Sequence, residues 1–170
     1  MKALVLDTSA FIMGFNPSGQ VFSVEAVENE LSKGTMAELR FRTAKEKGIL
    51  SVKHPSPRAL GIVEEVSAKA GETGFLSKAD RDVVALALDL KESGLEPVIV
   101  SDDYAVQNLA EHLRLEYGSL ANFGIIHKFH WIMYCPACGR RFKQPEKTCR
   151  VCGTELKRKV LSKTRVGKTA

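Results

Sequence analysis

Along residues 1–118, short apolar runs alternate with stretches whose apolar residues recur at helical spacing. Ala3–Leu6 and Val98–Val100 are compact runs of the kind that fill a parallel sheet covered on both faces. Ile49–Val52 is a weaker run of that kind and Val21-Phe22 a very short one. Between them, Val24–Leu31, Met36–Glu46, Pro57–Ala70, Lys78–Glu92 and Tyr104–Leu113 carry the pattern of helices. In the fourth, Val83, Val84, Leu86, Ala87, Leu88 and Leu90 make a broad apolar face, which predicts a central helix. Alternating strands and helices predict an α/β domain with a mostly parallel sheet.

Past residue 118 the pattern changes. Gly118 to Gly124 reads as a loop, and residues 119–134 as a connecting segment that holds Trp131. A cysteine module follows at 135–156, and residues 157–170 form a basic tail with little to bury, expected to be disordered. The 170 residues are 44% hydrophobic and 26% charged, enough for one core with some residues left over. No apolar run approaches the roughly 18–20 residues that cross a bilayer. Asp7 breaks the opening run, so no signal peptide is expected. A soluble, cytoplasmic chain with no membrane partner is the expectation.

Charge is unevenly placed. Residues 135–170 hold 11 Lys/Arg against 2 Asp/Glu, whereas residues 1–134 hold 14 against 18. A basic appendage on an acidic body points to phosphate contact, with Lys157, Arg158 and Lys159 as candidates at the start of the tail.

All four cysteines fall in two C-x-x-C-G units, Cys135–Gly139 and Cys149–Gly153, with ten residues between the pairs. Each unit brings two thiolates to one metal, and two units complete a four-thiolate site suited to structural Zn²⁺. Such a site is closed to substrate. Its net charge of −2 is partly offset by Arg140, Arg141, Lys143 and Arg150, which are also placed to reach RNA phosphates.

The acids supply the candidate chemistry. Asp7 directly follows the first strand, and Asp102 and Asp103 follow the strand ending at Val100, at the carboxyl ends where α/β sheets gather ligands. Each also suits a turn or helix cap. Asp80 and Asp82 open the fourth helix, where Ser77 and Asp80 resemble a capping box. Glu30 ends a short helix, a position the macrodipole disfavours. Carboxylates converging at one sheet end would need a divalent cation, and Mg²⁺ or Mn²⁺ prefers oxygen ligands of this kind. That arrangement suits metal-assisted phosphodiester hydrolysis. The phosphate-cradling G-x-x-x-x-G-K-[ST] and G-x-G-x-x-G loops and the G-x-S-x-G elbow are absent, so no nucleotide cofactor is expected.

The segments Val5–Phe11, Val27–Leu31, Leu76–Asp80 and Val100–Asp103, taken in that order, resemble a PIN-domain ribonuclease. Joined to Ser101–Ala110 and His130–Gly139, they resemble more narrowly the archaeal Nob-one endonuclease family. The resemblance covers residues 1–155. It implies a PIN-like three-layer fold over 1–118, with acids holding catalytic Mg²⁺ or Mn²⁺. By that likeness Asp7 is the first metal ligand and Glu30 the second acid, with Glu28 as its register alternative. Asp80 is the third, with Asp82 nearby, and Asp103 the fourth, with Asp102 able to share or take the role. Ser9 or Ser101 would orient a carboxylate. The resemblance further implies maturation of the 3′ end of small-subunit (16S) pre-rRNA in ribosome biogenesis, with ribosomal or assembly proteins as possible company. Two rival readings stay open at this point: a non-catalytic RNA-binding assembly factor, and a PIN ribonuclease with another RNA target.

Overall fold

The computed structural model describes residues 2–71, 73–120, 127–142 and 146–165, and of 127–131 and 158–165 the backbone alone. Five parallel strands form the central sheet: β1 (Lys2–Leu6), β2 (Gln20–Ser23), β3 (Leu50–Val52), β4 (Glu96–Val100) and β5 (Glu116–Gly118), in the order β3-β2-β1-β4-β5. All four pairings are parallel, with Leu6 in register with Val100. Six helices flank the sheet: α1 (Thr8–Ile12), α2 (Glu25–Glu30), α3 (Met36–Glu46), α4 (Pro57–Ala70), α5 (Lys78–Glu92) and α6 (Tyr104–His112).

The expected helices form because pattern and caps agree. Thr35, Ser56 and Ser77 each accept a backbone N–H at the start of α3, α4 and α5. Pro57 sits where a missing N–H costs nothing, and Gly71 closes α4 at φ 72°. Helix α5 is central, as its sequence predicts: Val83, Val84, Ala85, Leu86, Ala87 and Leu90 are all buried. By the usual cost of core truncation, Leu86→Ala would lose about 2–5 kcal/mol.

Two elements were not legible. Helix α1 has five residues and strand β5 three, too short for periodicity to register. The body also runs past residue 118, because Leu120 is buried in the same core.

Two expectations are corrected. Residues 127–134, read as part of a connecting segment, are strand β6 (His127–Tyr134), and 157–165, read as disordered, are strand β8 (Lys157–Arg165). They pair antiparallel from His127–Arg165 to Tyr134–Lys157, with an irregularity at His130/Trp131, and β7 (Arg141–Phe142) completes a three-stranded sheet. The physical reason is closure. The cysteine module brings residues 134 and 157 together, so each strand satisfies the other's backbone groups, which a lone basic tail cannot do. Residues 166–170 of the tail, Lys143 and the Trp131 side chain lie outside the described residues. Among the described residues, no helix is long and apolar enough to cross a membrane.

Candidate active site and four-cysteine ribbon

Strand order reverses between β1 and β4, which run side by side, so the crevice at their carboxyl ends is the topological switch point. The next residues after each strand face that crevice. Asp7 leaves β1, its amide bonded to the Val100 carbonyl at 3.2 Å, and becomes the N-cap of α1 by accepting from the Thr8 amide at 2.6 Å. Asp103 caps α6 by accepting from the Ala105 amide at 2.8 Å. Asp80 closes a true capping box with Ser77. The cap reading of these acids holds, and it leaves room for the site reading. A cap needs only part of a carboxylate, and three helix N-termini offset some of the gathered negative charge.

Asp7 is 3% exposed, and among the described residues no Lys or Arg pairs with it. Its other oxygen accepts from the Ser101 hydroxyl at 2.6 Å and from the Ser9 hydroxyl at 3.3 Å. Burial pushes its pKa up to about 6; the Ser101 hydrogen bond pulls it back, while Asp80 and Asp103 push it further. Asp80 is raised too, again by burial first, against the Ser77 backbone bond, with Asp103 and Glu30 adding repulsion. Asp80 and Asp103 thus act on Asp7, and Asp103 and Glu30 on Asp80, which makes these four acids the candidates for the mouth of the crevice.

Glu30 reaches that mouth despite its place at the end of α2. The Thr8 hydroxyl donates to its carboxylate at 2.7 Å. Thr8 is the residue sequence reasoning passed over; its only signal is its place in the turn-rich Asp7-Thr8-Ser9. Glu28 instead pairs with Lys45 of α3 at 2.8 Å. Asp102 turns away, accepting the Leu120 amide at 2.8 Å, which ties the start of the next segment to the sheet edge. Asp82 is buried and paired with Lys78. Gln107 steadies the crevice from α6 by donating to the Ser101 carbonyl at 2.7 Å.

The ribbon is built from two equivalent knuckles. The Cys135 amide bonds the Arg140 carbonyl and the Cys149 amide the Thr154 carbonyl, both at 2.8 Å. The Gly139 and Gly153 amides return to the Cys135 and Cys149 carbonyls, both at 2.9 Å, and both glycines sit at φ 72°, where a side chain would be strained. The four Sγ atoms lie within 4.8 Å of one another, with 3.3 Å between Cys135 and Cys152 and 3.6 Å between Cys138 and Cys149. A tetrahedral ion with bonds of about 2.3 Å asks for about 3.8 Å between sulfurs, so the cluster could hold one. Hydrogen bonding with Thr154 lowers the Cys152 thiol, while the Cys138 thiol is raised, against a backbone bond with Arg140, by burial and by its sulfur neighbours Cys135, Cys149 and Cys152, as expected where four thiols crowd together. Among the described residues the acids do not draw together as closely as these sulfurs.

Of the predicted phosphate contacts, Arg140, Arg141 and Lys157 are exposed. Arg150 is committed to Glu146 in an ion pair, so its charge is partly used. Arg158 and Lys159 lie in β8 opposite Met133 and Ile132.

Comparison with known proteins agrees with this geometry. Residues 4–90, which include Asp7, Glu30 and Asp80, match the PIN domain of ribonuclease. The chain is 36% identical to the endoribonuclease Nob1 of Pyrococcus abyssi over 156 residues, covering 91% of each chain. It is 34% identical to Nob1 of Methanocaldococcus jannaschii over 167 residues, 95% of this chain and 79% of that one. Ribonuclease VapC1 of Thermoplasma acidophilum is 36% identical over 156 residues, 91% of this chain and 76% of that one. With acids at the switch point of a parallel sheet and a four-cysteine ribbon following in the sequence, the chain belongs to the PIN-domain ribonucleases, among the archaeal Nob1 endoribonucleases.

Proposed function

We propose that this chain is a divalent-metal-dependent endoribonuclease that trims the 3′ end of small-subunit pre-rRNA. The carrying observation is Asp7: a carboxylate buried at the switch point, its pKa raised further by Asp80 and Asp103, with no cationic partner among the described residues. A binding module gains nothing from turning such charge toward RNA, which disfavours the non-catalytic reading.

The donor set, all carboxylate oxygens, suits Mg²⁺ or Mn²⁺. Asp7, Asp80 and Asp103, with Glu30, would hold it, and when bound it supplies an activated water and charge stabilisation on the leaving oxygen. The chain's own residues do the positioning. Ser101 and Ser9 hold one Asp7 oxygen, the Thr8 amide holds the other, and the Thr8 hydroxyl holds Glu30. Hydrolysis by this route leaves a 3′-hydroxyl and a 5′-phosphate. The four cysteines would hold structural Zn²⁺, and Arg140, Arg141 and Lys157 would meet RNA phosphates beside it.

The likeness to a VapC ribonuclease supports a second reading, a PIN ribonuclease with another RNA target. One experiment separates them. RNA spanning the mature small-subunit 3′ end is incubated with Mn²⁺, Mg²⁺ or EDTA, wild type beside Asp7→Asn. A single metal-dependent cut at the mature end, absent in the variant, supports the first reading. Cutting of unrelated RNAs with equal efficiency supports the second.

A further inference from the structure

A hollow of about 320 Å³ opens beside Glu30, lined by Ile12 at the end of α1, by Leu31 and Thr35 of the turn between α2 and α3, and by Met36 and Arg40 of α3. Its floor is apolar, since Leu31 and the neighbouring Ala37 are buried. Ile12 and Met36 instead stand 58% and 62% exposed, offering aliphatic and thioether surface from two different helices. Met36 opens α3, whose cap comes from Thr35, so neither the cap nor the core asks for a methionine there.

The polar groups at its edge are held still. The Thr35 hydroxyl donates to the Ser32 carbonyl at 2.7 Å and accepts from the Glu38 amide at 3.3 Å. Arg40 Nη1 donates to the Phe11 and Ile12 carbonyls at 3.0 and 3.2 Å, which anchors the guanidinium and leaves its Nε and Nη2 hydrogens without a partner among the described residues. Gly14 makes the room, since a Cβ there would stand 3.0 Å from the Arg40 Cζ. An apolar slot with a few fixed donors is the chemistry of a site for one flat heterocycle. Its volume is smaller than one turn of a helix, roughly 10 Å across and 5.4 Å long, so it seats a single ring system and not a helical peptide. The chain that passes Glu30 in an endoribonuclease is RNA, and its bases are such rings.

We propose that this hollow seats the nucleobase of one nucleotide flanking the scissile phosphate, its faces against Ile12 and Met36 and its polar edge toward the free N–H groups of Arg40. Seating one base turns it out of the stack and fixes the register of the strand over the acids. The inference rests on the reading of those acids as the cutting site, and it holds whichever RNA is cut.

The test uses the full chain and a short RNA made abasic at each position near the cut in turn. In Mn²⁺, loss of one flanking base should slow wild-type cleavage about tenfold, within what a single stacked base is worth, while the other positions matter less. Ile12→Ser with Met36→Ser should slow cleavage of the intact RNA by the same factor and leave cleavage of that abasic RNA unchanged, because both alterations remove one contact. The two side chains are more than half exposed, so the variant should melt with the wild type. In EDTA, a 4-thiouridine at the sensitive position should photocrosslink to the tryptic peptide 34–40, which holds Met36 and Arg40. Metal-dependent cleavage with no penalty at any abasic position overturns the base site. So do losses that add between variant and abasic RNA, or crosslinks that fall only outside residues 34–40 and Ile12. Crosslinking to peptide 34–40 without cleavage in any metal supports the base site and overturns the nuclease reading instead.

Discussion

The Ser101 hydroxyl donates to the Asp7 carboxylate at 2.6 Å, joining two residues 94 positions apart at the ends of neighbouring strands. The bond is buried and spans the switch point, so it fixes the acid with least freedom to move. It also opposes the burial that pushes Asp7 up to about 6. Removing it with Ser101→Ala should raise the Asp7 pKa further. Cleavage should then fall most near pH 6–7 and recover partly at pH 8, with KM for RNA nearly unchanged. A pH–rate profile of the variant beside wild type checks this; a uniform loss at all pH values would assign Ser101 a packing role only.

Asp7 also makes the fold depend on pH, with a definite sign. Its folded pKa lies above the ordinary value of 3.8, so between about pH 4 and 6 the folded chain binds more protons than the unfolded one. Stability contributed by this group is greatest below pH 4 and is lost as pH rises through 6. The displacement is worth roughly 3 kcal/mol at neutral pH. Asp7→Asn should therefore abolish cleavage yet melt higher than wild type at pH 8 in EDTA, with the gain vanishing at pH 4. Thermal melts at the two pH values measure it, and added Mn²⁺ should narrow the gap by stabilising the wild-type carboxylate alone.

The paired acids give a discriminating set. Glu30→Gln and Asp103→Asn should each lower cleavage at least about 100-fold, a loss of roughly 2.7 kcal/mol in transition-state stabilisation. Glu28→Gln should remain active, because it gives up only an ion pair with Lys45 on the surface, worth about 0–1 kcal/mol. Asp102→Asn should also remain active, since an amide oxygen can still accept the Leu120 N–H. Single-turnover rates on one RNA at saturating Mn²⁺ would rank the four.

Thr8→Val keeps the shape of the turn and deletes only the hydroxyl that holds Glu30. Cleavage should drop about tenfold, and the Mn²⁺ concentration giving half-maximal rate should rise. A metal titration of the rate reads both; an unchanged half-maximal concentration would detach Glu30 from metal binding.

For the ribbon, the expected stoichiometry is one zinc per chain by elemental analysis. Replacing Cys149, a buried cysteine of the cluster, with serine should release that zinc and loosen β7, while the parallel sheet holds its melting behaviour. Arg140→Ala with Arg141→Ala should weaken RNA binding evenly across sequences and reduce its salt slope by about 2, one for each phosphate that an arginine no longer neutralises.

The sequence was enough for helices α2 to α6 and for the cysteine knuckles. Helices α3, α4 and α5 begin and end where their caps and apolar spacing require, because caps act within four residues and periodicity is local. The cysteine knuckles were legible for the same reason, since each C-x-x-C-G holds its own turn. Strand β5 and the pairing of β6 with β8 were not, because their backbone partners lie far along the chain, nor was α1, whose five residues are too few for periodicity to register. The same division runs through the acids. Asp7, Glu30, Asp80 and Asp103 could be nominated from their places after strands and in helices. That Glu28 goes to Lys45, Asp102 to the Leu120 amide and Asp82 to Lys78 was decided only when the sheet order set β1 beside β4 and packing chose which carboxylates face the crevice. Local chemistry names the residue types; burial and long-range pairing decide which partners each of them meets.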